Sequence, residues 1–254
     1  MRCFAGFCLL LTLFSRAGNA QCRQWNLAAD FRAAPNQANP NPDGCGNTVW
    51  YFLESSPATF PAHLPASYTL LPEFTTDFFF IPGLEQWEGT EISANVRNKL
   101  PMVALNTTGR TQMVGGIIWP PDVIMVHPWK DKLVVVGWKS PITGTVSVAA
   151  AFRDLDTTCG NGALWFIDRF DGTTNTTLAS ASLPGSASLA DVPVRRGDFL
   201  YFIVDPKSGE HRCDSTALDV VIVPLTGVPA FPPAALAALT VLLALIGIIV
   251  LRRG

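Results

Sequence analysis

Short apolar or alternating runs recur between residues 25 and 223, at 49–53, 78–81, 132–138, 144–152, 163–168, 199–204 and 217–223, each bounded by turn-forming residues. No stretch carries the apolar stripe of an amphipathic helix. The clearest strand is 145–152, where Val146, Val148, Ala150 and Phe152 fall on one face. The turn sequence Pro141-Ile-Thr-Gly144 ahead of it predicts a hairpin with 132–138. Runs 133–136 and 200–204 are apolar on both faces, which suits central strands buried between layers. The pattern predicts an all-β fold, an antiparallel two-sheet jelly-roll-like sandwich. Residues 23–128 are less regular and rich in proline. Within them 36–46 reads as a loop pinned by Cys45, and 51–72, with four prolines, as irregular segments and edge strands that wrap the sandwich.

The two ends follow a different pattern. Residues 234–251 form 18 consecutive uncharged positions, about 27 Å of helix at ~1.5 Å per residue, close to the hydrocarbon thickness of a bilayer. This predicts one C-terminal transmembrane helix, with Pro232 in its first turn and Arg252 and Arg253 held on the cytoplasmic side. At the other end Arg2, an apolar stretch at 3–14 and small residues at Gly18 and Ala20 read as a secretory signal cut after Ala20. The chain divides accordingly into a signal peptide (1–20), an exported β-sandwich domain (21–226) and a C-terminal anchor (227–254).

Composition agrees with export. The ends hold four arginines and no acid, so the exported part has 14 basic and 20 acidic residues, a net charge of −6 that disfavours a nucleic-acid partner. Four cysteines remain after the signal, Cys22, Cys45, Cys159 and Cys213, with no CxxC pair, and an even number in an oxidising compartment predicts two disulfides. Three connectivities exist; the favoured one joins Cys22 to Cys45 and Cys159 to Cys213. That pairing would bring together two acidic loops, one with Asp154 and Asp156, the other with Asp214 and Asp219. Their oxygens could then hold a structural calcium ion, unless the aspartates serve only to cap their own turns.

Catalysis is not signalled. His63, His127 and His211 lie beside prolines or in loops, without HExxH or GxSxG company. Of the seven tryptophans, Trp138 and Trp165 sit in strand runs, whereas Trp119 and Trp129 lie in proline-flanked loops and are candidates for stacking on a sugar.

Two resemblances sharpen the reading. The tail, with Val228-Pro229-Ala230-Phe231-Pro232, an apolar helix and Arg252-Arg253, resembles the PEP-CTERM sorting signals of exported bacterial proteins in a variant form without the glutamate. That resemblance implies a membrane-embedded sorting peptidase, the exosortase, that cuts near the motif and passes the protein to the envelope or extracellular matrix. The segments Asp30-Phe31, Asn39-Pro40-Asn41-Pro42-Asp43-Gly44, His127-Pro128, Gly137-Trp138-Lys139-Ser140-Pro141, Phe152-Arg153-Asp154-Leu155-Asp156, Gly197-Asp198 and Asp214-Ser215-Thr216-Ala217-Leu218-Asp219 look like galactose-binding-like jelly-roll modules of envelope-anchored proteins. The function expected is a non-catalytic, surface-anchored module that binds or organises extracellular polysaccharide. The alternatives are a structural or protein-adhesion domain and a hydrolase without a recognisable motif.

Overall fold

The computed structural model describes residues 22, 24–34, 37–93 and 96–225. The segment read as a signal peptide and the tail read as an anchor, with Val228, Pro229, Pro232, Arg252 and Arg253, lie outside the described residues. Among the described residues no helix is long and apolar enough to cross a membrane.

The chain folds as a sandwich of two antiparallel sheets. The first runs β15 (Gly185–Val194), β12 (Gly144–Asp154), β17 (Thr216–Leu225), β10 (Ile124–His127), β7 (Lys99–Asn106), β6 (Leu84–Ile92) and β5 (Glu73–Thr75). On one edge of β17, β10 pairs with residues 216–218 and the short β1 (Trp25–Asn26) with residues 221–222. The second sheet runs β14 (Asn175–Ser182), β13 (Leu164–Phe170), β16 (Phe199–Asp205), β11 (Val134–Lys139), β3 (Thr48–Glu54) and β2 (Asn41–Pro42), with β4 (Thr69–Leu70) also on β3. A separate hairpin joins β8 (Gln112–Val114) to β9 (Ile117–Trp119).

The main core lies between the sheets. Val146, Val148, Ala150 and Phe152 of β12 are buried there as their alternation predicts, with Leu218, Val220 and Ile222 of β17 beside them. Trp50, Phe52, Val134, Val136, Trp138, Phe202 and Trp165 face them from the second sheet. Burial of each large side chain is worth on the order of 2 kcal/mol. Trp165 stacks on Phe152 with ring centroids 4.6 Å apart, and its indole lies so close to Gly185 that an added Cβ there would meet Nε1 at 2.5 Å.

The runs 133–136 and 200–204 are apolar on both faces because the outer face of the second sheet is also covered. Leu53, Leu133, Val135 and Ile203 lie beneath a proline-rich strap, residues 55–70, which contributes Phe60 and Tyr68. The wrapping expected of 51–72 is therefore present, although residues 51–54 belong to β3. The β8–β9 hairpin and the 78–81 turn cover Leu84, Leu100, Met102, Ala104 and Met125 on the outer face of the first sheet.

Three expectations are corrected. Strand β12 does not form a hairpin with 132–138: β11 pairs with β3 and β16 in the second sheet, β12 with β15 and β17 in the first. Residues 140–143 cross between layers, which lets both apolar strands gain two partners each. The run 78–81 is a 3-10 turn in which Phe79 (φ 51°) and Phe80 (φ 63°) adopt positive φ, outside strand geometry. A helix does exist: α1 (Leu27–Ala33) buries Leu27 and Phe31 and is capped by the Asn26 side chain, which accepts from Ala29 N–H.

Candidate functional site

The disulfides join Cys22 to Cys45 and Cys159 to Cys213, with Cα atoms 6.0 and 5.6 Å apart. The first ties down the loop around Asp43, which accepts hydrogen bonds from Trp25 Nε1 at 2.8 Å and Asn47 N at 2.7 Å. The second ties the loop after β12 to the loop before β17.

The aspartates those loops carry do not form one shell. Asp219 is exposed on β17 and shares a surface hollow with Arg153 and the Arg32–Asp122 ion pair. Asp154 Oδ1 accepts from Asp156 N–H at 2.9 Å, and Asp156 Oδ1 accepts from the Thr158 backbone and hydroxyl at 3.2 and 2.5 Å. Both are turn-capping contacts. Asp214 differs: it is buried and neither carboxylate oxygen has a hydrogen-bond partner. Burial, then the charges of Asp154, Glu210 and Asp205, push it up to about 7. Among the described residues, the triads of close acidic, His and Cys donors are Cys22, Asp43, Cys45 and Asp156, Cys159, Cys213. Each spends two of its three donors on a disulfide.

The two loop tryptophans also separate. Trp119 is fully buried and its indole N–H donates to Val123 O at 2.8 Å, so neither ring face is open to a ligand. Trp129 is half-buried, its ring 4.3 Å from that of His211. It flanks a groove of about 370 Å³ that includes Phe78, Phe79, Asn98, His127, Asp156 and His211. Burial holds His127 down at about 4, and its Nδ1 lies 2.8 Å from the Pro128 carbonyl. A carbonyl only accepts, so Nδ1 carries the proton.

The arrangement that sequence reading missed is on the outer face of the second sheet. Register sets Tyr51 and Tyr201 on either side of Gly137, and Lys139 beside Phe199, which pairs in turn with Phe170. Gly137 leaves room for these rings: a Cβ there would stand 3.1 Å from the Tyr201 ring, which would have to shift by a few tenths of an ångström. Phe199 stacks on Tyr201 at 5.1 Å and meets Tyr51 edge-on at 5.1 Å. The strap covers only part of this surface. It is latched by His63, whose Nδ1 donates to Asp168 Oδ2 at 2.8 Å, while Asn175 and Thr177 donate to the same carboxylate. Burial alone would raise Asp168, but these three hydrogen bonds outweigh it and hold it below its ordinary value.

Beyond the strap the face opens into a cavity of about 460 Å³ lined by Asn47, Thr48, Tyr51, Lys139, Ser140, Pro141, Arg196 and Gly197. Tyr51 and Phe199 are half-buried, and the Lys139 ammonium lies 6.0 and 5.6 Å from their ring centroids. The sequence signal was present but ambiguous. Tyr51 and Phe199 occupy the outward phase of strands whose inward phase is also apolar, so alternation alone could not tell a covered ring from an open one.

No protein-family model matches the chain, and no curated protein matches it. Solved structures similar to it include TmCBM61 in complex with beta-1,4-galactotriose, at 11% identity over 41% of this chain and 70% of that one, TM-score 0.29. A family 29 carbohydrate binding module is 12% identical over 46% of this chain and 81% of its own, TM-score 0.27. Eiger TNF from S. frugiperda is 15% identical over 38% and 68%, TM-score 0.27. Likenesses this distant assign no function.

Proposed function

We propose that this chain is a non-catalytic, surface-displayed module that holds extracellular polysaccharide on the open part of its second sheet. One observation carries the reading: the half-buried rings of Tyr51 and Phe199 adjoin a cavity rimmed by Asn47, Thr48, Lys139 and Arg196. Pyranose rings present apolar CH faces to aromatic rings and hydroxyls to polar side chains, and this surface offers both. Among the described residues the lining of that cavity includes no carboxylate, so the pair that glycoside hydrolysis ordinarily uses is not offered there. Export is supported by the two disulfides, which belong to an oxidising compartment. The tail then acts as a single-pass anchor and as the substrate of a sorting peptidase that releases the module to the envelope or matrix.

A glycan-array screen of the full chain in detergent micelles tests the reading. Binding is expected, and Tyr51→Ala should weaken it about two- to tenfold, in line with ~0.5–1.5 kcal/mol for one ring contact. Silence across the array, or a Tyr51→Ala protein that binds normally and melts normally, would overturn it. A second reading, an adhesion domain, is favoured by Met113 and Ile118, which sit opposite each other on the β8–β9 hairpin and are 80% and 56% exposed.

A further inference from the structure

The charge of the cavity beside Tyr51 has the opposite sign to that of the domain. Residues 21–226 carry a net charge of −6, yet the cavity is lined by two cations, Lys139 and Arg196, and by no acid. Among the described residues neither cation has a carboxylate partner. The neighbouring carboxylate is already engaged: Asp198 is buried, takes the Arg169 guanidinium at 3.0 Å and accepts from the Arg195 backbone at 3.1 Å. The backbone donors beside it are also used, Arg196 N–H by the Thr143 hydroxyl at 3.1 Å and Gly197 N–H by Ser140 O at 2.9 Å. What remains available to a ligand is a pair of side-chain cations next to aromatic rings. Lys139 is additionally held in place by those rings, 5.6 Å from one centroid and 6.0 Å from the other, so its ammonium points along the same surface that would seat a sugar.

We propose that the polysaccharide held here is anionic, its ring seated on Tyr51 and Phe199 and its negative group met by Lys139 and Arg196. The inference rests on the glycan reading above and adds the ligand's charge to it. Uronic acids supply the anion as a ring carboxylate and sulfated sugars as a sulfate ester. Both place a charge within reach of cations that border apolar surface, where attraction is screened less than in open water. A neutral glycan would supply neither cation with an anionic partner and gain only stacking and hydroxyl contacts.

Titration of the full chain in micelles with polygalacturonate, neutral galactan and dextran sulfate decides it. Polygalacturonate and galactan share a galactose-type ring and differ in the carboxylate. Polygalacturonate is expected to bind at least tenfold more tightly than galactan at low salt, with the advantage shrinking as sodium chloride is added. Lys139→Gln and Arg196→Gln should each weaken polygalacturonate binding several-fold more than galactan binding, so that the advantage of the acidic polymer shrinks in both. Dextran sulfate reports whether sulfate substitutes for carboxylate; weaker binding than polygalacturonate assigns the site to uronates, and equal or tighter binding to anionic sugars generally. Equal affinity for the acidic and neutral polymers, or a Lys139→Gln, Arg196→Gln double variant that keeps the full preference, overturns the inference. In that event galactan binding that is lost in Tyr51→Ala leaves the glycan face standing. Failure of all three polymers to bind overturns the inference, and silence across the array ends the glycan reading as well.

Discussion

At the scale of single residues, two side chains show how far burial changes a residue's meaning. Trp119 and Trp129 look alike in sequence, both flanked by proline, but one is fully enclosed with its indole N–H satisfied and the other lies half-buried against His211. Asp214 is the sharper case, because a buried carboxylate with no hydrogen bond opposes folding when charged. Its value in the folded protein is raised to about 7, chiefly by burial. The stability it contributes is therefore complete below about pH 4, where the unfolded chain is also protonated, and is lost as pH rises through 7. Asp214→Asn should raise stability at pH 8 by on the order of 1–3 kcal/mol, seen as a higher melting temperature, and flatten the decline between about pH 4 and 7. Thermal melts of both proteins in chelator check this, and a variant less stable than wild type at pH 8 would refute it. Repeating the melts with calcium shows whether a cation takes the proton's place. A rise confined to the wild type would locate the ion at Asp214.

At the scale of elements, the strap decides which part of the second sheet is available. Residues 55–70 have little regular hydrogen bonding of their own beyond two 3-10 turns and β4. They hold their place through Phe60 and Tyr68 on the sheet and through the His63 contact with Asp168. His63→Ala would leave a fully buried carboxylate with only Asn175 and Thr177 as donors. The expected result is a loss of about 2–3 kcal/mol in stability together with faster proteolytic cutting within 55–70. Limited proteolysis with mass mapping reads this directly; a strap that resists cleavage as well as in the wild type would show that the latch is not what holds it.

At the scale of the whole molecule, the two disulfides fasten loops at separate places in the sandwich, with sequence separations of 23 and 54 residues. Such staples fit a domain displayed outside the cell, where no chaperone renews it. If the tail spans the membrane as proposed, a cysteine tag placed before Val228 should react with an impermeant reagent in intact cells. One placed after Arg253 should be protected. The reverse pattern, or labelling of both, would remove the anchor from the account while leaving the sandwich and its open face unaffected.

Sequence by itself determined the class of fold, because the period-two pattern of Val146, Val148, Ala150 and Phe152 can bury one face only as a strand. It favoured, among three possible connectivities, the disulfide pairing that the structure shows, and it marked the wrapping of the proline-rich segment. Tertiary structure alone decided the partners of β11 and β12, which are adjacent in sequence yet lie in different sheets because each gains two neighbours that way. Strands β6 and β7 were hidden in the irregular half for a related reason. Buried Gln86 and Glu88 and the proline at 101 break the alternation that would have marked them. The open face with Tyr51, Phe199, Lys139 and Arg196 was least legible of all. Its residues come from three strands and a turn, and whether an outward ring is covered depends on where a distant strap stops, a property of packing that no local pattern encodes.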